Sequence, residues 1–385
     1  MEIYLDNSAT TKVRREVLKE IIDIYENNYG NPSSLHRKGL QIEKKLDEAR
    51  KFSAKIINAK PEEIYFTSGG TESNNIAIFG HLSSSNFEVK KNIITTRIEH
   101  PSVYNVYRHF EGNFEVRYLD TDDKGYINLQ ELENYVDENT MLVSVILVNN
   151  ELGTVQDVNQ ITNIIKKKNK KTKIHLDAIQ AYGKIKIDTN KIFADTISFS
   201  SHKIHGPKGV GGLFIRSGCK LNSMIFGGNQ ERGLRPGTEN TPGIVGFGKA
   251  CELLYNNFEE ETEKLYRLKN IYGTKLMQEI EDVKINSDLG KDSAPHILNV
   301  SFKNVRGEVL VHYLEDRGIY VSTGSACSSK AKMDNRILKS IKLDRDYVDG
   351  TIRISLGYFN NYDEIDYVID NIKKSVNDIR SIMKF

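Results

Sequence analysis

Tryptophan is absent from this 385-residue chain, proline occurs seven times and cysteine only three times. Cys219, Cys251 and Cys327 are too few for a disulfide framework, and no pair has metal-ligand spacing, so no metal site is expected. Sparse, unpaired cysteine suits a reducing cytoplasm, which is the expected location. Long apolar runs are missing too. The longest, Leu142 to Val148 with Ser144 inside it, falls far short of the roughly 20 residues that span a membrane. The opening MEIYLDNSATT has acidic and polar residues where a secretory leader needs a basic start and an apolar stretch. Nor does one sign of charge prevail: 54 lysines and arginines face 52 aspartates and glutamates, a net +2. That balance supplies no long-range attraction to nucleic acid or an anionic membrane, and neither is expected as a partner. The Lys-rich run 166–171 reads as the solvated end of a helix, where cations favour the dipole.

What the chain does contain is alternation. Apolar residues make up 38% and charged ones 28%, enough for a sizeable core beneath a polar surface, and the length predicts two domains. Seven short, β-branched runs near residues 64–67, 92–97, 115–119, 141–148, 173–176, 196–199 and 212–216 read as strands. Amphipathic stretches such as Ser73–Leu82 and Val158–Lys168 lie between them. Strands alternating with helices predict an α/β fold: a seven-stranded, mostly parallel sheet covered on both faces, in a large domain of residues 15–255. A charged helix from Phe258 to Ile280 then marks a boundary. Beyond it come strands near 297–302, 320–322 and 351–355, with helices near 306–316 and 362–382. These predict a smaller α+β domain of residues 1–14 plus 256–385.

In open α/β sheets ligands bind beyond the carboxyl ends of the strands, and here those ends are unusually polar. The first reads Thr67-Ser68-Gly69-Gly70-Thr71-Glu72, a strand, a glycine turn and a helix start. Glycines admit an anion close to the backbone, and a helix start offers free N–H groups. Later ends add Glu99-His100, Asn149-Asn150-Glu151, Asp177 with Gln180, and Ser200-Ser201-His202-Lys203. Each alone has a plain explanation as a cap or a turn. Together they bring a carboxylate, an imidazole, amides, hydroxyls and an amine to one crevice. One further segment imitates a calcium loop: Asp120 to Gly125, ending at Glu131. Lys124 at a ligand position, and a strand pattern before it, make a strand–turn–helix connection the expected structure.

A phosphate site, a lysine and a carboxylate are together what pyridoxal 5'-phosphate (PLP) requires. Its aldehyde forms a Schiff base with lysine, and a carboxylate keeps the pyridine nitrogen protonated so that the ring draws electrons. The motifs TSGGTESNN at Thr67, NNELGTVQ at Asn149, HLDAIQ around Asp177 and SSHKIHGPKGVGG around Lys203 resemble those of the class V aminotransferases, specifically the cysteine desulfurases. The resemblance runs from YLDNSATT (4–11) through GNPSSLHR (30–37) and RGLRPGTENTP (232–242) to STGSACSS (322–329) and IRISLG (352–357), nearly the whole chain in order. It implies the PLP-dependent transferase fold type I. By similarity, Lys203 carries the cofactor and moves the substrate α-proton, Asp177 holds the pyridine nitrogen, and Asn150 and Gln180 lie near the ring hydroxyl. His100 stacks on the ring, while Gly70, Thr71, Ser200 and His202 surround the phosphate. Thr238 reaches across from a second subunit, which implies a homodimer, and Arg353 clamps the substrate carboxylate with Asn150 nearby.

Cys327 decides the reaction that the resemblance implies. Cys251 sits on the apolar pattern 244–254 as a core residue would, and Cys219 falls at a turn. Cys327 instead lies in the Ser/Gly-rich stretch Ser322 to Ser329, similar to the family group with the longer persulfide loop. The implied reaction takes sulfur from L-cysteine, giving alanine and a persulfide on Cys327. An acceptor protein, either an iron–sulfur scaffold or a thiolation enzyme, then receives the sulfur. Two positions depart from the family pattern, Ser201 and Asn229, where glycine is common; neither removes a group the chemistry needs. A selenocysteine lyase or another class V aminotransferase shares the cofactor set, and a non-catalytic sulfur carrier shares the fold.

Overall fold

The computed structural model describes residues 2–83, 91–324 and 335–382. Its larger sheet has seven strands in the order Ile64–Thr67, Gly211–Ile215, Thr196–Ser200, Lys173–Asp177, Thr140–Ile146, Asn92–Thr96 and Glu115–Leu119. Gly211–Ile215 pairs antiparallel with both neighbours, and every other pairing is parallel. The predicted mostly parallel sheet is therefore present. Central strands such as Thr196–Ser200 and Asn92–Thr96 are buried at every residue, as expected when helices cover both faces. At the edge, Glu115–Leu119 buries only Leu119 and exposes the charged Glu115, which blunts further strand pairing.

The chain passes along Asn92–Thr96 and Glu115–Leu119 in one direction across the sheet. It then returns to Thr140–Ile146 and proceeds the other way through Lys173–Asp177 and Thr196–Ser200. Such a reversal opens a crevice at the strands' carboxyl ends. The calcium-like segment is a strand–turn–helix link. Asp122 Oδ1 accepts the Lys124 and Tyr126 amides, Glu131 accepts the Asp120 amide, and Asn128 caps the helix Leu129–Tyr135.

A second sheet joins Thr351–Ser355, Ile297–Phe302 and Val283–Ile285, all antiparallel. The first strand, Ile3–Tyr4, pairs with Ile319–Tyr320, so Ile3 and Leu5 enter the same core as Ile352, Ile354 and Ile372. Neither Ile3–Tyr4 nor Val283–Ile285 has a strand pattern long enough to read from sequence. The run expected at 320–322 is the two-residue strand Ile319–Tyr320 followed by an isolated bridge from Ser322 to Arg353.

One helix differs clearly from expectation. Instead of beginning at Phe258, it runs from Thr241 to Glu279. Its 39 residues extend about 58 Å at 1.5 Å per residue. The first part buries Phe247, Cys251 and Leu254 in the large core, and the last part buries Leu268, Tyr272 and Leu276 in the small one. Between them no residue from 255 to 260 is buried. That polar gap imitates a helix start, but the backbone hydrogen bonds continue through it. Among the described residues no helix is long and apolar enough to cross a membrane.

Candidate active site

The carboxyl ends of the large sheet close around a cavity of about 200 Å³. Strand Lys173–Asp177 ends on Asp177, whose Oδ2 accepts from Asn74 Nδ2 at 2.9 Å and whose Oδ1 accepts the Ile179 amide at 3.0 Å. Burial raises its pKa, opposed by those two donors and by the charge of Lys203. Strand Thr196–Ser200 delivers Ser200, and the turn after it delivers His202 and Lys203. Lys203 Nζ donates to the carbonyls of Ser8 at 2.5 Å and Ala9 at 2.8 Å, so the amine is directed at the cavity wall formed by the N-terminal segment.

His100 follows strand Asn92–Thr96 and caps the helix Pro101–His109. Burial, with the charges of Lys203 and Arg336, lowers its pKa to about 4, so the ring is neutral near pH 7. His202 is likewise pushed down to about 4, chiefly by burial, and its Nδ1 lies 3.2 Å from Thr10 Oγ1. Gln180 Nε2 donates to the Ser8 carbonyl, and its Oε1 meets His296 Nε2. From the smaller sheet comes Arg353, fully buried, donating to the Asn150 carbonyl at 2.7 Å and to Asp6 Oδ1 at 2.8 Å.

The glycine turn contributes by what it lacks. A Cβ on Gly70 would stand 2.3 Å from Cδ1 of Ile179, a residue of the cavity wall, so any side chain there would displace that wall. Ser8 Oγ, Asn150 Oδ1, Ser200 Oγ and Arg353 Nε are buried with no hydrogen-bond partner among the described residues. Buried polar atoms are rarely left unmatched, and four around one cavity point to a polar ligand bearing both acceptors and donors.

Ten sequence-predicted residues thus line one cavity: Gly70, Thr71, His100, Asn150, Asp177, Gln180, Ser200, His202, Lys203 and Arg353. Thr238 is exposed and lies outside it. Cys327 falls outside the described residues. Sequence reasoning passed over Ser8 and Ala9, which receive the lysine, Asp6, which pairs with Arg353, and Asn74 and Ser102, which stand behind Asp177 and His100. Asp6 to Ala9 lie inside the motif YLDNSATT and Asn74 inside TSGGTESNN, but a motif alone does not say which of its polar residues face the site. Ser102 lies on a helix, where nothing in the pattern distinguishes a polar contact from a solvated face.

Comparison with known proteins identifies the family. Residues 3–368 match the family "Aminotransferase class-V". "Cysteine desulfurase IscS" of Clostridium botulinum strain Hall is 40% identical over 385 residues, 99% of this chain and 96% of that protein. The protein of the same name from Methanosarcina thermophila is 39% identical, covering 99% and 93%. Among solved structures, a "NifS-like protein" superposes with a TM-score of 0.91 at 41% identity over 98% of this chain and all of that one. The chain belongs to the class-V aminotransferases. In this class-V chain the large sheet supplies the amine, the carboxylate and the imidazole, and the small sheet supplies the guanidinium, so the site needs both layers.

Proposed function

We propose that this protein is a cysteine desulfurase: it binds PLP, takes sulfur from L-cysteine to leave L-alanine, and carries the sulfur as a persulfide on Cys327. The observation that carries this reading is the meeting of Lys203, Asp177, His100 and Arg353 in one cavity where four buried polar atoms, Ser8 Oγ, Asn150 Oδ1, Ser200 Oγ and Arg353 Nε, have no partner among the described residues. Support for the substrate comes from the relatives named cysteine desulfurase and from a neighbour described as "SspA in complex with cysteine", 33% identical with a TM-score of 0.81.

The residues fit PLP. Ser200 and His202, with the Gly70–Thr71 helix start, would hold its phosphate, Asp177 its pyridine nitrogen, Lys203 its aldehyde carbon, and Asn150 and Gln180 its ring hydroxyl. When bound, PLP supplies an electron sink next to the substrate α-carbon. Arg353 binds the substrate carboxylate through guanidinium N–H groups left over from Asp6 and Asn150. Lys203 moves the α-proton, and the neutral imidazole of His100 assists proton transfer. The Cys327 thiolate attacks the substrate sulfur. The S–S bond forms as the C–S bond breaks, its electrons stay on carbon, and that carbon takes a proton to become the methyl group of alanine.

We also infer a homodimer, with Thr238 serving the partner's phosphate site; its exposure and its place outside its own chain's cavity support this. Residues 15–255, and 1–14 with 256–385, act as the two domains in this reading. An acceptor protein of the iron–sulfur scaffold or thiolation type takes the sulfur, in the cytoplasm.

The deciding experiment is Cys327→Ala. Folding, cofactor absorbance and cysteine binding stay intact, while alanine and sulfide formation fall by about three orders of magnitude, as expected for a deleted nucleophile. Near-normal alanine production by this variant would defeat the mechanism and favour a selenocysteine-lyase type of reaction. Failure to bind PLP at all would favour a non-catalytic carrier.

A further inference from the structure

Behind the cavity lies a chain of hydrogen bonds among side chains that the proposed reaction does not use. Asn74, on the helix Gly70–Leu82, is fully buried and sits at its centre. Its Nδ2 donates to Asp177 Oδ2 at 2.9 Å and to Ser102 Oγ at 2.8 Å. Its Oδ1 faces His175 Nε2 at 3.0 Å. Ser102 Oγ in turn lies 2.8 Å from His100 Nδ1, which also accepts the Ser102 amide at 3.2 Å. Further back, His175 Nδ1 meets Thr196 Oγ1 at 3.0 Å, and Thr196 Oγ1 meets His81 Nε2 at 3.3 Å.

The directions of these bonds are determined. A carboxylate only accepts, so Asp177 requires the amino end of Asn74. The same amino group then donates to Ser102 Oγ, leaving the serine hydrogen for His100 Nδ1. With Nδ1 accepting twice, the proton of the neutral imidazole resides on Nε2, the nitrogen that makes no hydrogen bond among the described residues. On the other side Asn74 Oδ1 requires a donor, which fixes His175 with its proton on Nε2 and with Nδ1 accepting from the Thr196 hydroxyl. Burial lowers the pKa of His175 to about 3, so it stays neutral and keeps this polarity. Asn74, Ser102, His175 and Thr196 each have donor and acceptor matched, and such networks rigidify what they touch.

We propose that Asn74 is a positioning residue that locks two groups of the site together: the carboxylate of Asp177 directly, and the tautomer and tilt of the His100 ring through Ser102. His175 and Thr196 hold the Asn74 amide in the orientation this requires. The pyridine-nitrogen side of the cofactor and the imidazole expected above its face are thereby set by one amide rather than by two independent contacts. The part concerning the cofactor rests on the proposed function; the part concerning His100 does not.

The test uses two variants and two readouts. In the cofactor-free chain labelled with ¹⁵N-histidine, the His100 signals are assigned by their loss in His100→Gln. PLP affinity is measured separately by absorbance titration. Wild type should show His100 protonated on Nε2 with Nδ1 accepting. Ser102→Ala should move the His100 Nδ1 resonance but leave PLP affinity within about twofold, because Asp177 keeps its Asn74 bond. Asn74→Ala should move the His100 and His175 resonances and weaken PLP by about tenfold, the worth of one hydrogen bond to a charged group. A residue that merely stabilises the fold would not separate the two readouts in this way. His100 protonated on Nδ1 in wild type, or an unmoved His100 signal in Asn74→Ala, would overturn the relay. Tenfold-weaker PLP binding in Ser102→Ala would overturn the separate hold on Asp177. If wild type itself fails to bind PLP, the proposed function falls while the resonance data still decide the relay.

Discussion

Two concavities on this molecule differ in a way that separates room from chemistry. The larger, about 710 Å³, is a groove where the second part of the long helix meets the segment 358–362. Its charges mostly answer one another. Arg14 pairs with Glu261 at 2.5 Å while its guanidinium lies 3.9 Å from the Tyr358 ring centroid, and Lys264 donates to the Tyr358 carbonyl and Asn361. Arg14 Nε and Glu261 Oε1 lack partners, but both belong to that ion pair. The sheet-end cavity, at about 200 Å³, is far smaller, yet it gathers unlike groups from several strand ends and leaves four polar atoms from different elements unmatched. Volume is cheap where elements splay apart. Convergent, unsatisfied polarity must be held in place by the rest of the fold, and it is the better guide to a site.

The contrast breaks most visibly at Lys203. We expect Lys203→Ala to lose turnover entirely and to lose the visible absorbance of the bound cofactor, although PLP can still dock through phosphate contacts. Borohydride reduction followed by peptide mapping checks the attachment; label on Lys208 in wild type would refute it. Next in size is Arg353→Leu, which removes the proposed carboxylate clamp and the ion pair with Asp6. A fall of about a hundredfold in kcat/KM for cysteine, carried mainly by KM, is expected for a buried charged contact. An unchanged KM with a normal thermal melt would assign the carboxylate to another group. Asp6→Asn is gentler: it keeps the shape and a hydrogen bond to Arg353 but removes the charge. About a tenfold change in KM is expected, and none at all would reduce Asp6 to a structural contact.

How much of this was readable in advance follows from range. The seven strands carry their own signal, continuous apolar β-branched runs, and the polar residues at their ends stand out against it. Asp177 and Lys203 therefore emerge as candidates from the strand ends taken together, and their roles only from the resemblance. The relay through Asn74 does not, because its bonds to Ser102, Asp177 and His175 join positions 28, 103 and 101 residues apart. The helix that carries Asn74 reads as amphipathic in sequence over Ser73–Leu82 but is buried on nearly all sides, so its polar members pass for a solvated face when they are in fact inside. The long helix misled for the opposite reason. Its polar middle, Asn256 to Glu260, has the composition of a boundary, and only the two cores at its ends show that it bridges them. Ile3–Tyr4 is too short to announce itself; pairing with Ile319–Tyr320 makes it a strand.

The smallest effect on turnover is expected in the larger groove, at Lys184. This lysine is 5% exposed, and its side-chain ammonium donates no hydrogen bond among the described residues. Burial pushes its pKa down to about 8, with Glu261 opposing and Arg14 reinforcing the shift. A lysine whose folded pKa lies below its unfolded value weakens the fold most while both states are protonated, below about pH 8. The cost fades as pH rises from there toward the unfolded value of 10.5, because the unfolded chain then binds more protons. Lys269, also depressed to about 8 by burial, acts in the same direction, although its ammonium donates to Ser293 and Ala294. Lys184→Met keeps the length of the side chain and deletes the charge. It should raise the melting temperature at pH 7, by up to about 3 kcal/mol of stability, and flatten the rise in stability between pH 8 and 10.5 without abolishing it. Cysteine turnover should stay within about twofold of wild type. A loss of activity in a well-folded Lys184→Met protein would show that the groove takes part in the chemistry, and the distinction between the two concavities would fail.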